Sequence, residues 1–237
     1  MTEPSYLDRI RVAYDTVAVT YAERLEPELA AKPLERAMLA AFADLVRAGG
    51  GGPVADVGCG PGHVTARLNA LGLDAFGVDL SPAMLAQARR AYPALRFEEA
   101  SMTALELPDG VLGGVVARYS IIHLPPERLP SVFAEFHRVL SPGGHVLLVF
   151  QVGDERLHVE QAFGHAVSVD AYRLSPDRVT ELLGAAGLPV IATLLREPDE
   201  TEKVPQANLL ARKTRETEAG PARVTAGPAS LGQAVSA

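Results

Sequence analysis

The stretch VADVGCGPGHV, Val54 to Val64, restricts the possible folds of this chain more than any other. A short apolar run contains Asp56 and is followed at once by Gly58, Gly60 and Gly62. Glycines at every second position let the backbone turn sharply and let a ligand approach bare peptide groups. A helix after such a loop directs its free N–H groups and the positive end of its dipole at the same place. The stretch therefore predicts a nucleotide-type pocket at the end of a strand.

The remaining pattern predicts strands and helices in alternation. Strands are predicted near 54–57, 75–78, 96–98, 114–118, 145–152, 188–195 and 207–212, and helices over 5–24, 33–48, 61–71, from Ser81 onward, 126–140 and 175–186. Ser81 and Ser175 are each followed by proline, as expected of N-cap residues. Such alternation indicates right-handed βαβ units and a Rossmann-like, doubly wound α/β fold with helices on both faces of a parallel sheet.

Two parts of the chain fall outside this alternation. Residues 153–174 have no clear period and are predicted to form an insertion or lid. Residues 214–237 contain no aromatic side chain and are rich in small and polar residues, which predicts a disordered tail. We therefore expect one domain over residues 1–213, which includes N-terminal cap helices within 5–48.

Composition limits the partners that such a domain could have. A formal net charge of −7 argues against a nucleic-acid partner, because phosphate binding requires clustered lysine and arginine. No apolar run approaches the roughly 20 residues that span a bilayer, and the first residues lack the apolar centre of a secretory signal. Cys59 is the single cysteine and cannot form an internal disulfide, which is typical of a cytoplasmic protein.

The spacing of glycines and acids separates two kinds of nucleotide pocket. The dinucleotide fingerprint GxGxxG needs a glycine at the sixth position, which here is His63, so the loop is GxGxG instead. Asp79 ends the next predicted strand, 21 residues after Gly58, in GVDLSP. An acid at that position can accept hydrogen bonds from both hydroxyls of a ribose.

With Asp79 included, VADVGCGPGHVT, GVDLSPAML and RYSIIHL…EFHRVLSPGGHVLLVF resemble the class I S-adenosylmethionine (SAM)-dependent methyltransferases of the small-molecule type. The resemblance covers roughly residues 10–213. It implies a seven-stranded sheet whose last strand is antiparallel, with SAM, or its product S-adenosylhomocysteine (SAH), over the strand ends. The implied cofactor contacts are Asp56, Gly58, Gly60 and Gly62 around the methionine part, Asp79 on the ribose, Leu80 and Met84 beside the adenosine, Ser101 and Met102 at the adenine edge, and the backbone near Arg118 at the amino group.

Several of these positions also have simpler explanations. Met84 has helical spacing and fits core packing as well as a cofactor contact. Tyr14 and Tyr21 lie on one helix face, where they would either pack in the core or bring a hydroxyl to the cofactor carboxylate. Many relatives carry aspartates where this chain has EEASM and VLGGVV, so backbone groups are expected to recognise the adenine. Cys59 has no base paired with it in sequence and is interpreted as a small loop filler.

The acceptor side is predicted from residues after the fourth strand and in the lid. His123, five residues after Arg118 and among apolar neighbours, is predicted to act as a base or to orient the acceptor. The alternative is that His123 caps the next helix or bonds a backbone carbonyl. Predicted contacts of a polar, modest-sized acceptor are Gln151, His158, Phe163, His165 and Tyr172. No third ligand stands near His158 and His165, so no metal site is expected.

These features favour transfer of a methyl group to an O, N or C atom of a small molecule, of the kind found in secondary metabolism. Nucleic-acid amino-methyltransferases carry an Asn/Asp-Pro-Pro-aromatic motif where this chain has ArgTyrSerIle. A non-catalytic SAM-binding or assembly subunit is a further alternative and would lack an acceptor pocket. A nicotinamide oxidoreductase is the third, and a cofactor titration would distinguish it.

Overall fold

The structure is a computed structural model and describes residues 5–215, without the side chains of residues 25–28. The predicted disordered tail, 214–237, therefore lies almost entirely outside the described residues. At the described end, the Lys213 ammonium donates hydrogen bonds to the carbonyls of His137 and Leu140, at 2.7 and 2.8 Å. Lys213 is thus anchored to the folded domain.

The elements follow the predicted order, with changes at their ends. The helices are α1 Tyr6–Ala30, α2 Pro33–Ala48, α3 His63–Ala70, α4 Pro82–Ala91, α5 Leu129–Val139 and α6 Pro176–Ala185. The strands are β1 Val54–Val57, β2 Ala75–Asp79, β3 Phe97–Glu99, β4 Leu112–Arg118, β5 Leu140–Gln151, β6 Arg156–Ala162, β7 His165–Tyr172, β8 Val190–Arg196 and β9 Gln206–Arg212. Short 3-10 helices cover Ile121–His123 and Pro126–Arg128. The hydroxyls of Ser81 and Ser175 cap α4 and α6 as predicted, accepting from Met84 N and Arg178 N.

Seven strands form one sheet in the order β3-β2-β1-β4-β5-β9-β8. Strands β1 to β5 pair in parallel, whereas β9 is antiparallel to both of its neighbours. The seven-stranded, Rossmann-like sheet with an antiparallel last strand is therefore confirmed. Successive strands are added on opposite sides of β1, so a crevice opens at the carboxyl ends of β1 and β4.

Two apolar layers cover the faces of this sheet. On one face, Phe42 of α2 and Leu68 of α3 are fully buried; on the other, Phe133 and Phe136 of α5 and Leu183 of α6 are fully buried. Every residue of β4 is buried, as is typical of a central parallel strand covered on both sides. In the described part of the chain, no helix combines the length and apolarity needed to cross a bilayer.

Helix α1 is longer than predicted and packs against both α4 and β7. Its Asp15 carboxylate accepts hydrogen bonds from the Ser81 hydroxyl at 2.6 Å and from Ala83 N at 3.1 Å. A carboxylate at the start of a helix satisfies free N–H groups and complements the helix dipole. This contact fixes α1 beside the crevice.

The predicted insertion at 153–174 is a β-hairpin, in which β6 and β7 pair in antiparallel fashion apart from the main sheet, with a register shift between Val159 and Gln161. Phe163 and Gly164 form its turn with φ angles of 53° and 84°. A two-residue turn of this kind needs positive φ angles, which phenylalanine rarely adopts. The sequence therefore indicates that the alternation of strands and helices is interrupted here, but it does not indicate a β-hairpin.

Gly58, directly after β1, is required by a close approach between two loops. Its φ is +75°, and a Cβ added there would lie 2.3 Å from the Cβ of Ser120, the second residue after β4. Ser120 is held in place because its hydroxyl donates to the Val57 carbonyl at 2.8 Å. The loops after β1 and β4 thus touch at the base of the crevice.

We expect Gly58→Ala to lower the melting temperature more than Gly60→Ala. Both residues have positive φ, which costs alanine about 1–2 kcal/mol, but a Cβ on Gly60 meets only Tyr21 Cε1 at 3.8 Å. The clash at Gly58 should add about 1–3 kcal/mol. Thermal unfolding of both variants, and of Gly58→Ala with Ser120→Gly, measures the difference. Equal losses of melting temperature in the two single variants, or no recovery of melting temperature in the double variant, would show that the clash with Ser120 is not the cause.

Candidate active site

A cavity lies at the carboxyl ends of β1, β2 and β4, and residues of α1 form part of its wall. Ten of the thirteen residues predicted for the cofactor or for catalysis line it. These are Tyr14, Tyr21, Gly58, Gly60, Asp79, Leu80, Ser101, Met102, Arg118 and His123. Leu7, Ile10, Val57, Ala100, Tyr119, Ser120 and Leu124 line it as well and were not predicted. Several of these additional lining residues are apolar. Their pattern in the sequence does not distinguish them from residues of the hydrophobic core.

Asp79 joins the glycine loop to the start of α4. One carboxylate oxygen accepts from Gly60 N and the other from Ser81 N, both at 2.8 Å. Burial raises the pKa of the Asp79 carboxyl, while the backbone N–H groups oppose that rise. A carboxylate has about four lone-pair sites, so the group retains the capacity to accept further hydrogen bonds.

Three predicted cofactor residues do not line the cavity. Met84 is fully buried against Val17 and Ala18 of α1, which matches the core-packing alternative. Gly62 is the N-cap of α3, and a Cβ on it would lie 2.8 Å from the Phe97 ring. Close packing of the start of α3 against Phe97, and not the approach of a ligand, therefore explains why residue 62 is a glycine.

The third such residue, Asp56, is fully enclosed beneath the glycine loop. Its carboxylate accepts from the Thr65 hydroxyl of α3 at 2.7 Å. Burial raises the pKa of Asp56 to about 7; the Thr65 bond opposes the rise and the charge of Asp79 adds to it. Two acids with raised pKa values thus lie near the ends of β1 and β2, and a positively charged ligand would favour their ionised forms.

Arg118 lines the cavity, but its guanidinium takes part in a buried ion pair. Its Nε donates to Glu35 of α2 at 2.8 Å, and the guanidinium lies 4.6 Å from the centre of the Tyr119 ring. Glu35 also accepts from the Tyr119 hydroxyl at 3.2 Å and from Arg196 at 3.4 Å. Tyr119 has φ 50°, an uncommon conformation that this network stabilises. The network therefore shapes the end of β4 beside the cavity.

Tyr14 and His123 form a hydrogen-bonded pair in the cavity wall. The Tyr14 hydroxyl lies 2.5 Å from His123 Nε2, and His123 Nδ1 lies 3.0 Å from the carbonyl oxygen of Asp170 on β7. Because a carbonyl can only accept, Nδ1 carries the proton and neutral Nε2 accepts from Tyr14. Loss of solvent lowers the pKa of His123 and raises that of Tyr14 well above its ordinary value. At neutral pH the imidazole is therefore uncharged.

The five predicted acceptor contacts lie outside this first cavity. Phe163 packs edge-on against Tyr21, with ring centres 5.1 Å apart, and His165 Nε2 lies 3.1 Å from the Thr20 hydroxyl, so both attach the hairpin to α1. His158 is about half exposed and bonds the Asp170 carboxylate at 3.0 Å. Gln151 ends β5, opposite Gln206 of β9, and Tyr172 lines a second cavity. The hairpin is therefore attached to α1, and none of its residues lines the first cavity.

The second cavity adjoins the first, and Ile10 and His123 line both. Its other walls come from the start of α1, from Pro125 and from the hairpin. His123 consequently lies between the two cavities, whereas its partner Tyr14 lines only the first. A molecule in the second cavity would face a ligand in the first across His123.

Cys59 is buried against Leu85 and Phe97, and burial raises the pKa of its thiol far above the ordinary value. A thiol in such a state is a poor nucleophile, and its interpretation as a loop filler fits this packing. Within residues 5–215, no group of three or more His, Cys, Asp or Glu side chains is arranged to hold a metal ion.

Comparison with known proteins identifies relatives for the part of the chain that forms the cavity. Residues 54–144 match a family described as a methyltransferase domain. The central part of this chain is therefore similar to methyltransferase domains. The match begins at β1 and ends inside β5, so it includes the glycine loop, Asp79 and the segment after β4.

Two curated relatives are similar over part of their length. The chain is 35% identical over 146 residues to a trans-aconitate 2-methyltransferase of Escherichia coli, which is 61% of this chain and 54% of that protein. It is 35% identical over 97 residues to a demethylmenaquinone methyltransferase of Chlorobaculum parvum, which is 40% of this chain and 39% of that protein. The chain thus spans about half or less of the relatives it matches.

Two solved structures share the fold over most of this chain. One is the Burkholderia thailandensis 1,6-didemethyltoxoflavin-N1-methyltransferase with bound 1,6-didemethyltoxoflavin and SAH, at 20% identity and TM-score 0.69, covering 90% of this chain and 93% of that one. The other is the magnesium protoporphyrin IX methyltransferase of Synechocystis PCC 6803 with bound SAM, at 16% identity and TM-score 0.68, covering 90% and 100%. At these identities the likeness establishes the fold.

We expect Asp56→Asn to stabilise the ligand-free protein at pH 8 but not at pH 4. The folded-state pKa of about 7 lies above the ordinary 3.8, so the wild-type protein loses stability as pH rises through this interval. Asparagine still accepts from Thr65 and never ionises, which should give about 1–4 kcal/mol at pH 8. Denaturant unfolding at both pH values measures the difference. Exposed Asp74→Asn is the control, and equal stability of Asp56→Asn and wild type at pH 8 would contradict the prediction.

Proposed function

We propose that this protein transfers the methyl group of SAM to an O, N or C atom of a small molecule. The observation that carries the proposal is Asp79, whose carboxylate faces the cavity and is oriented by Gly60 N and Ser81 N. Its remaining lone pairs suit the two ribose hydroxyls. The family match, and relatives whose names specify methyl transfer to small molecules, support the same conclusion.

The other walls of the cavity suit the remaining parts of SAM. Gly58 and Gly60 offer bare backbone for the methionine part, and the acids Asp56 and Asp79 favour its positive charges. Leu80 and Met102 supply apolar surface for the adenine, and Ser101 supplies a hydroxyl at its edge. Many relatives carry an aspartate where this chain has EEASM, so we expect backbone groups to recognise the adenine. This recognition requires no further acid here.

We expect Asp79→Ala to weaken SAH binding by about a hundredfold or more. A hydrogen bond to a charged group contributes roughly 1.5–3 kcal/mol, and Asp79 would make two of them to the ribose. Isothermal titration calorimetry on the variant measures the loss. Asp74→Ala, an exposed acid at the opposite end of β2, is the matched control and should bind like the wild type. Unchanged affinity in Asp79→Ala would mean that the ribose does not bind there.

Bound SAM supplies an activated methyl group, so the chain itself has to position the acceptor, exclude water and remove any proton the acceptor carries. We assign the last role to the Tyr14–His123 pair. An acceptor proton would pass to the Tyr14 oxygen while the Tyr14 proton moves to His123 Nε2. The resulting imidazolium keeps its Nδ1–H bond to the Asp170 carbonyl. His123 thus remains the proposed base, with Tyr14 relaying the proton instead of contacting the cofactor carboxylate.

We expect Tyr14→Phe and His123→Ala each to lower kcat by roughly a hundredfold, because loss of general-base catalysis typically costs about 10²–10⁴ in rate. The SAH affinity of each variant should stay within about threefold of the wild type. The acceptor for the assay would come from a substrate panel screened by the mass increase of a methyl group. His137→Ala, on α5 and away from both cavities, is the control.

The pH profile tests the same assignment. His123 must be neutral to accept a proton, and loss of solvent lowers its pKa, so kcat should fall only as pH drops below about 6.5. Normal turnover of His123→Ala across pH 6 to 9 would contradict the assignment and leave methyl transfer to positioning alone.

One observation favours catalysis over a non-catalytic SAM-binding subunit. The second cavity adjoins the first at His123 and offers room for an acceptor, which a subunit that only binds SAM would not need. The net charge of −7 supports a small molecule over a nucleic acid as acceptor.

A further inference from the structure

His123 is held from two sides, by helix α1 and by strand β7. The Tyr14 hydroxyl of α1 contacts Nε2, and Nδ1 donates to the carbonyl oxygen of Asp170 at 3.0 Å. Among the described residues, β7 pairs only with β6, so alternate carbonyls along its other edge can accept from another element. The Asp170 carbonyl is used in this way, and its donor is the imidazole ring.

This bond decides which nitrogen of the neutral imidazole carries the proton. A carbonyl oxygen can only accept, so the ring keeps its proton on Nδ1 and presents the lone pair of Nε2 to Tyr14. Without the contact to Asp170, the ring could carry its proton on Nε2, and Nε2 could then no longer accept one. The base proposed above therefore depends on the position of the β7 backbone.

The side chain of Asp170 ties this backbone to the neighbouring strand. One carboxylate oxygen accepts from Arg156 of β6 at 2.8 Å, and the other bonds His158 Nδ1 at 3.0 Å. His158 lies directly opposite Asp170 in the register of the hairpin. The side-chain bonds therefore join β6 and β7 at the residue whose carbonyl contacts His123.

The Asp170 carboxylate keeps the charge that these bonds need. Partial burial raises the pKa of this carboxyl, but the bonds from Arg156 and His158 outweigh that effect and hold the pKa below its ordinary value. Arg156 and His158 are themselves about half exposed or more, so the two bonds add little to the stability of the fold. Variants that lack them should therefore remain folded.

We infer that Asp170 is a positioning residue for methyl transfer, because its main-chain carbonyl holds His123 in the Nδ1–H form while its side chain fixes β7 to β6. The inference rests on the proposed function, in which His123 takes up the proton of the acceptor. The hairpin then contributes to the reaction although none of its residues lines the first cavity.

Long-range ¹H–¹⁵N NMR of the histidine-labelled chain measures the tautomer of His123 directly, and the spectrum of His123→Ala identifies its signals. At pH 8 the wild type should show a protonated Nδ1 and an unprotonated Nε2. Asp170→Ala leaves the carbonyl in the chain but removes its anchors, so this variant should also show the Nε2–H form.

Kinetics with an acceptor found in the substrate panel measure the consequence. Asp170→Ala should lower kcat by about tenfold, because only part of the His123 population can then accept a proton, while the KM for SAM stays within about twofold of the wild type. Asp170→Asn still accepts from Arg156 and bonds His158, so this variant should recover most of kcat. His158→Ala removes one of the two bonds and should lower kcat by about threefold.

Glu155→Ala is the matched control. Glu155 forms another carboxylate–arginine pair of this segment, with Arg173 at 3.0 Å, and lines neither cavity. Its loss should leave the His123 signals and kcat near those of the wild type. Melting temperatures show whether each variant is folded, and His158→Ala provides the test if Asp170→Ala is not.

Three results would overturn the inference. These are an Nε2–H tautomer in the wild type, wild-type signals and kcat in both Asp170→Ala and His158→Ala, and an equal loss of kcat in Glu155→Ala. If SAH binds and His123→Ala loses turnover while Asp170→Ala behaves like the wild type, this inference fails and the proposed function stands. If the chain neither binds SAH nor transfers a methyl group, the proposed function fails, and the inference fails with it even where Asp170 fixes the tautomer.

Discussion

The hydrogen bonds of the Asp79 carboxylate determine how the other parts of the site meet. One oxygen holds the glycine loop through Gly60 N and the other holds the start of α4 through Ser81 N. Ser81 in turn donates to Asp15, which fixes α1 over the crevice. Burial raises the pKa of Asp79, so the folded protein maintains this carboxylate at a cost in stability. Such a cost is typical of a group retained for binding.

The central sheet was predictable because its signals are local. Short apolar runs, serine caps followed by proline, and the glycine loop each specify structure within a few residues, and all agree with the observed order of elements. The hairpin β6–β7 was not predictable in the same way. Its turn places Phe163 at a positive φ, and its strands attach through Tyr21 and Thr20 of a helix about 140 residues earlier. Tertiary contacts of that kind leave no periodic signal in the sequence.

The candidate site, like the fold, was predictable from the sequence only in part. Asp79, Gly58 and Gly60 were predicted from spacing and line the cavity, whereas Gly62 and Met84 match the motif equally well but pack against Phe97 and α1. Spacing along a helix or loop does not say which side of it faces the ligand. The Tyr14–His123 contact joins residues 109 positions apart and depends on where α1 crosses the end of β4. A single sequence contains the two residues but no indication of that crossing.

Titration of this chain with SAM, SAH and NAD by isothermal calorimetry tests the central claim most directly. The cavity combines a GxGxG loop with an oriented acid at the end of β2, and a second buried acid, Asp56, lies close behind it. Saturable binding of SAM and SAH at one site per chain, without detectable binding of NAD, is the predicted result. Binding of NAD without binding of SAM or SAH would contradict the account.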